Sequence, residues 1–494
     1  MRSPGWADLY GWQVDRASRT PLFQQIYLQL RAAIVSRTLA PGLRLPSTRG
    51  LASRLRVART SVILAFEQLL AEGYITGKAR SGTFISPDLP APIESRSPRR
   101  IGRRAAKAIS LAVRGKALER LPAAATPESD ATPFNMGRTR LDARTVTIWR
   151  RLTQQVMRSL GPIHLGYSDP RGLPDLRQTI CDYLRAARAV RCEPDQIIVT
   201  GGTQPAVDLA IRVLLDRDAQ VWVEDPCYPV TYHALATAAM RICPIPVDAH
   251  GLHVGVGVRT APRARAVFVT SSHQFPLGVA LTMPRRLELL AWARETGAWI
   301  VEDDYASEFR YSGRPLASLQ GLDDAERTIY IGTLNKALFP GLRIGYVVVP
   351  HPLVRAFANA RYLIDRQPSS VDQSVVTEFM RQGHFAAHLR RTRLQYRDQR
   401  DALVAELLRR AGDRIAIDVP DQGMHLIAYL RHRRSDVEVE RAARQGGVIA
   451  RAITPMYRKA RPRSGLMLGF SGFPCDMIIP AAASLAKIIN SRPE

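Results

Sequence analysis

Residues 328–349 constrain the chain most. An apolar run, Thr328-Ile329-Tyr330-Ile331, leads into Gly332-Thr333-Leu334-Asn335-Lys336-Ala337-Leu338-Phe339-Pro340-Gly341-Leu342-Arg343, and a second apolar run follows from Ile344 to Val349. Both runs read as strands, which sets Lys336 in a loop between them and not on a polar helix face. An amine held there is partly dry, so its pKa falls and it becomes a usable nucleophile towards an aldehyde. Thr333 and Arg343 flank it with a hydroxyl and a fixed cation, which is what a phosphate monoester asks for. The competing reading of such a lysine is a solvated surface charge.

Upstream, Trp299-Ile300-Val301-Glu302-Asp303-Asp304-Tyr305 reads as a strand ending in carboxylates and a tyrosine. Pyridoxal 5'-phosphate needs a carboxylate beside its ring nitrogen, to hold the pyridinium proton and keep the ring an electron sink. In this order the two segments resemble the pyridoxal-phosphate enzymes of the aspartate aminotransferase fold, fold type I. The resemblance implies that Asp303 pairs with the ring nitrogen. It implies that Lys336 bonds the coenzyme's aldehyde and that Arg343, with Thr333 beside the lysine, serves the phosphate.

At 494 residues the chain is too long for one ordinary domain, and a hydrophobic fraction of 46% is ample for packed cores. No apolar run is long enough to cross a bilayer, and the N-terminus lacks a signal-peptide hydrophobic region, so a cytoplasmic, nucleoid-associated protein is expected. The five cysteines are scattered, with no C-x-x-C, which argues against a metal site or a disulfide framework. A formal charge of +26 suggests a polyanionic partner.

Residues 16–86 carry much of that suggestion. Phe23, Ile26, Leu30 and Ile34 have helical spacing, and Pro41-Gly42 stops the helix. Ser47 or Thr48 can cap a second helix, Arg49 to Leu55. Arg56-Val57-Ala58 forms a turn before a third helix from Arg59 to about Glu72. Tyr74-Ile75-Thr76 and Gly82-Thr83-Phe84-Ile85 read as short strands joined by residues 77–81. Three helices and a hairpin make a winged helix-turn-helix, with the third helix in the major groove and the hairpin beside the backbone. The P-L-x-x-Q-I, L-A-P-G-x-x-L-P-S-x-R-x-L-A, R-T-S-V and A-E-G-Y-I…S-G-T-F pattern resembles the GntR family of bacterial regulators. By that resemblance Arg49, Arg59, Thr60 and Ser61 contact double-stranded operator DNA, with Arg80 and Gly82 in the wing. Ala58 departs from the family, which often has Ser or Thr there.

Residues 87–130 are rich in Ser, Pro, Ala and Arg and read as a flexible basic linker. From there, residues 131–490 alternate strand and helix patterns. Ile197-Ile198-Val199-Thr200 is a buried-type strand running through Gly201-Gly202 into a helix from Thr203. Free N–H groups and the helix dipole at such a turn suit an anion. By the aminotransferase resemblance Thr203 and Gln204 hold the phosphate, and Tyr228 stacks on the pyridine ring.

Where catalytic aminotransferases carry Asn-Pro-x-Gly, this chain has Phe275-Pro276-Leu277-Gly278. The Ser272-His273-Gln274-Phe275 run and Glu302-Asp303-Asp304-Tyr305 resemble instead the MocR subfamily of GntR regulators, which joins a winged helix to an aminotransferase-like domain. That implies a multidomain fold: a small α+β head, then a large α/β fold type I domain with a C-terminal α+β subdomain. Tyr305 then takes the contact to the coenzyme's phenolic oxygen. Ala306 stands where the subfamily commonly has Asp. The position of the aminotransferases' carboxylate-binding Arg is filled by Met467; Arg451, Arg458, Arg461 or Arg463 substitutes, or the effector lacks a carboxylate.

Two functions follow from these resemblances. One is a homodimeric, pyridoxal-phosphate-dependent transcriptional regulator answering to the coenzyme itself or to an amine or amino-acid effector. The other is an aminotransferase of an amino acid with a helical appendage. Lys336, Asp303 and Arg343 permit half-reactions, whereas Phe275 and Met467 argue against efficient turnover.

Overall fold

The computed structural model describes residues 12–78, 81–87, 111–121, 132–139, 141–313, 316–431 and 435–491. It divides into two compact units, Met1–Ser110 and Leu111–Glu494.

In the first unit, α1 (Leu22–Val35) buries Ile26, Tyr27, Leu30 and Ile34, one stripe of a helix. α2 (Thr48–Leu55) is capped by Ser47, whose Oγ accepts from Gly50 N at 3.1 Å, which decides between the two candidate caps. Arg56 closes α2 in the left-handed region at φ 53°, turning the chain into α3 (Arg59–Ala71). Ala58, the N-cap of α3, makes no side-chain cap bond. β1 (Ile75–Lys78) and β2 (Gly82–Ile85) pair antiparallel from Ile75↔Ile85 to Lys78↔Gly82, so the strand runs two residues further into the expected turn. Leu30, Leu51, Val62, Leu69, Ile75 and Ile85 share one core. Tyr27 donates its hydroxyl to Glu72 at 2.6 Å and Arg31 donates to Tyr74 at 3.1 Å, tying α1 to the end of α3.

The expected linker falls mostly outside the described residues. Within it Val113–Glu119 is a short helix with no buried residue, a difference from the flexible tether that Ser/Pro/Arg composition suggests.

The second unit is built on an 8-stranded mixed sheet. Its strands are β3 (Ile197–Thr200), β4 (Gln220–Asp225), β5 (Arg241–Asp248), β6 (Gly251–Leu252), β7 (Ala266–Val269), β8 (Trp299–Asp304), β9 (Thr328–Thr333) and β10 (Gly345–Val348), in the order β3-β10-β9-β8-β7-β4-β5-β6. The pairs β5–β4, β4–β7, β7–β8 and β8–β9 are parallel, and β10 runs antiparallel between β9 and β3. Every residue of β3, β7, β9 and β10 is buried, as expected where helices cover both faces. On one face Val199 and Tyr330 share a core with Leu176 and Ile180 of α4 (Pro174–Arg188). On the other, Ile198 and Ile331 share one with Val207 and Ala210 of α5 (Thr203–Leu214).

Toward the C-terminus lies a second sheet, β11 (Ile415–Ile417), β12 (His425–Leu430), β13 (Arg451–Ala452) and β14 (Gly465–Gly469), ordered β11-β12-β14-β13 and antiparallel throughout. Helices His384–Ala411 and Cys475–Asn490 accompany it in the same core. No helix among the described residues is long and apolar enough to cross a membrane.

Candidate functional site

The carboxyl ends of β4, β7 and β8 and the loop after β9 converge on one cavity, the position where open α/β sheets bind ligands. Its volume is 230 Å³, and Thr203, Tyr228, Thr270, Phe275, Asp303, Tyr305 and Lys336 line it. Met136, Gly137, Met424, His425, Arg451 and Met467 complete the wall from distant segments. Five of the residues expected to hold the coenzyme thus meet in one place, Thr203, Tyr228, Asp303, Tyr305 and Lys336, together with Phe275, Arg451 and Met467.

Lys336 donates from Nζ to the Gly137 carbonyl at 3.3 Å. Burial, then the Arg343 guanidinium, pull its pKa down, the condition for a neutral, nucleophilic amine. Asp303 ends β8 beside Asp304; burial first and that neighbour second push its pKa up to about 7. Glu224, at the end of β4, is likewise pushed up to about 7 by burial, against hydrogen bonds from Thr270 N at 3.1 Å and Thr270 Oγ1 at 2.6 Å. Burial and then Asp303 hold the Tyr305 hydroxyl well above its ordinary range, so it remains a donor. Tyr228 packs edge-on against Phe275, with ring centroids 5.1 Å apart.

The phosphate end has a different shape from the one expected. Thr333 and Arg343 do not line the cavity. The Thr333 hydroxyl donates to Ile344 O at 3.4 Å and accepts from Asn335 N at 3.1 Å, while Asn335 Oδ1 accepts from Ile344 N at 2.9 Å. Thr333 therefore ties the lysine loop together. Arg343 is exposed at φ 52° and lies over Gly202, which precedes α5. A Cβ on Gly202, itself at φ 122°, would lie 2.9 Å from Asn335 Nδ2 and 3.4 Å from an Arg343 nitrogen. The Arg343 guanidinium therefore lies beside the bare Gly202 at the start of α5, where a helix dipole and a cation act together on an anion.

Among the buried side-chain atoms without a hydrogen-bond partner in the described residues are Gln204 Nε2, Asp303 Oδ1 and Tyr305 Oη, the last two on residues that line the cavity. Buried polar groups are normally paired, so these point to a ligand. Asp303 and Tyr305 lie with Lys336 on the cavity wall, and Gln204 stands on the first turn of α5.

One clasp braces the wall. Asp225, last in β4, accepts backbone hydrogen bonds from Arg458, Lys459 and Ala460, each at 2.7 Å. It holds the segment between β13 and β14 against the larger sheet. His425 faces the cavity from β12 and has a second tie at Pro276 O, 2.9 Å away. No local motif marks Gly137, His425 or Asp225. Gly137 alone had a signal, a glycine beside Met136 at the start of the α/β region.

In the head, Arg49, Arg59 and Thr60 are exposed on the first turns of α2 and α3, and Ser61 is half-buried. Arg59 Nε lies 3.4 Å from Thr48 Oγ1, so the two helix starts present one surface. Gly82 opens β2 at φ 113°, a conformation that suits glycine. Arg80 lies outside the described residues. Arg44, which sequence reasoning passed over, packs on the wing: a Cβ on Gly82 would lie 3.0 Å from its Nε.

Comparison with known proteins agrees with both halves. Residues 22–85 match the family of bacterial regulatory proteins, gntR family, and residues 129–465 match aminotransferase class I and II, a fold family that depends on pyridoxal phosphate. The chain is 38% identical to the probable rhizopine catabolism regulatory protein MocR of Rhizobium meliloti, covering 93% of this chain and 92% of the relative. It is 30% identical to the HTH-type pyridoxine biosynthesis transcriptional regulator PdxR of Corynebacterium glutamicum, covering 95% and 96%. Among solved structures, the α-aminoadipate aminotransferase LysN of Thermus thermophilus superposes with a TM-score of 0.70 at 24% identity, over 76% of this chain and 96% of that one.

Proposed function

The chain belongs to the MocR-type regulators, a gntR-family DNA-binding head joined to an aminotransferase class I and II domain, and on that premise we propose that it regulates transcription in response to pyridoxal phosphate or an amine bound beside it. The observation that carries this reading is the meeting of Thr203, Tyr228, Asp303, Tyr305 and the half-buried amine of Lys336 in one cavity, with unpartnered atoms on Asp303 and Tyr305.

In this reading Asp303 serves the ring nitrogen, Tyr305 the phenolic oxygen and Tyr228 the ring face. Thr203, Gln204 and Arg343 serve the phosphate, and Lys336 the aldehyde. The coenzyme, when bound, supplies an electron-withdrawing ring to an amine held at its aldehyde. The chain's part is to keep Lys336 dry, to hold the Tyr305 proton in place and to exclude water with Met136, Met424 and Phe275. Arg49, Arg59, Thr60, Ser61, Arg80 and Gly82 face operator DNA. The working boundaries are residues 16–86 for the head, 87–130 for the linker and 131–490 for the effector domain, in a cytoplasmic homodimer. A ligand switches such a protein only if it binds two arrangements unequally.

An aminotransferase is the weaker reading. Phe275 stands where the coenzyme-contacting Asn would be, and Met467 where the carboxylate-binding Arg would be. The test is a titration of the full-length protein with pyridoxal phosphate, read by visible absorption, alongside binding to its own promoter fragment across salt concentrations. Wild type is expected to colour and to bind the fragment, and Lys336→Ala to bind the fragment without colour. A colourless wild type overturns the sensing role. Steady-state transamination without fragment binding establishes the enzyme instead.

A further inference from the structure

Met467 is 1% exposed and packs with Ile427, Tyr429 and Ile453, so no cation projects from that position. Its direct partner across the β13–β14 ladder is Arg451. Directly paired residues project to the same face of a sheet, and both side chains line the cavity that holds Lys336. The other cations of this segment are placed elsewhere. Arg458 lies over the Tyr232 ring at 4.3 Å and Arg463 over Tyr429 at 3.4 Å, and neither they nor Arg461 line the cavity. The charge of Arg451 also opposes the rise that burial and Asp303 impose on the hydroxyl of Tyr228, another residue of the cavity wall.

We infer that Arg451 is the anion-recognising residue of the effector site, displaced by one strand from the position filled by Met467, and that the effector is a small amino acid whose carboxylate it binds. A guanidinium offers two parallel N–H donors to a carboxylate, a match that an uncharged amine cannot use. Met136, Met424 and Phe275 leave an apolar wall for the rest of the molecule. This inference rests on the cavity being the coenzyme and effector site proposed above.

The test uses the full-length protein loaded with pyridoxal phosphate, titrated with matched pairs and read by the coenzyme's visible band. The pairs are alanine and ethylamine, leucine and isoamylamine, phenylalanine and phenethylamine. At least one acid is expected to shift the band, at a concentration roughly 10- to 100-fold below its decarboxylated partner, the usual worth of a charged hydrogen-bonded pair. Arg451→Ala, and Arg451→Gln as a bulkier replacement, should abolish that advantage, so that acid and amine shift the band at about equal concentrations. Arg451→Lys should keep part of it. No response to any acid, equal potency of acid and amine, or an undiminished preference in both neutral variants overturns the inference. A protein that takes up no coenzyme overturns instead the reading on which it rests.

Discussion

The amine of Lys336 donates to the carbonyl of Gly137, a residue 199 positions away, at 3.3 Å. Gly137 adopts φ 63°, and a Cβ there would lie under 3.0 Å from Nζ. The obstacle would be the tip of a flexible side chain, so the fold can yield where the site cannot. Gly137→Ala is therefore expected to displace the amine and weaken coenzyme binding about 10-fold or more, with about 1 kcal/mol of backbone strain. Equilibrium titration of the visible band checks this. Unchanged coenzyme affinity would mean that the glycine is not set by the lysine.

Asp303 destabilises the chain for the sake of its position. Its ordinary pKa is 3.8, and the folded chain raises it to about 7. Between those values the folded state holds a proton that the unfolded state has released, so stability falls as pH rises through the window. Asp303→Asn removes the ionisation. Without coenzyme, its melting temperature should exceed that of wild type by a margin that grows between about pH 4 and about pH 7 and then levels off. A margin independent of pH would contradict the buried-carboxylate account. The same variant should bind the coenzyme less tightly, since it offers the ring nitrogen no charge.

Ala58 leaves the first turn of α3 without a side-chain cap. A serine there can accept from the helix's free N–H groups, which stabilises a helix start by about 1 kcal/mol. In Ala58→Ser, amides early in α3 should exchange several-fold more slowly in the full-length protein. Exchange as fast as in wild type would show that the cap is not formed.

Arg49 and Arg59 sit exposed at the starts of α2 and α3. If either contacts a phosphate, its replacement by Ala should weaken binding to all duplexes and lower the salt slope by about 1. If it reads a base, the loss should be confined to the preferred operator. In both cases the coenzyme band should stay as in wild type; loss of colour in Arg59→Ala would mean that the head and the effector domain are wrongly divided.

Much of this was legible in the sequence where local chemistry writes it down. Fully buried strands such as β3 and β9 appear as apolar runs, and the head follows a helix pattern closed by a Gly-containing hairpin. Asp303, Tyr305 and Lys336 stood out because acid, phenol and amine follow one another at strand ends. Other features are written nowhere locally. β5 contains Pro244 and Pro246 and reads poorly as a strand, yet it pairs with β4 along its length. His425 and Gly137 reach the cavity only through tertiary packing. The four arginines of residues 451–463 are alike in sequence, and only the fold separates them: Arg451 pairs with Met467 and lines the cavity, while Arg458 and Arg463 stack on Tyr232 and Tyr429. Thr333 was legible as a neighbour of the lysine, but not the bonds of its hydroxyl to Ile344 and Asn335, which tie the loop.

The clasp at Asp225 has a mechanical consequence. Three amides converge on a single carboxylate, so the Arg458–Ala460 segment cannot drift away by degrees. Withdrawing it leaves the buried Asp225 carboxyl without all three partners. The segment that follows the strand of Arg451 is thus held by one side chain like a button through three loops, and Asp225→Ala would loosen all three together.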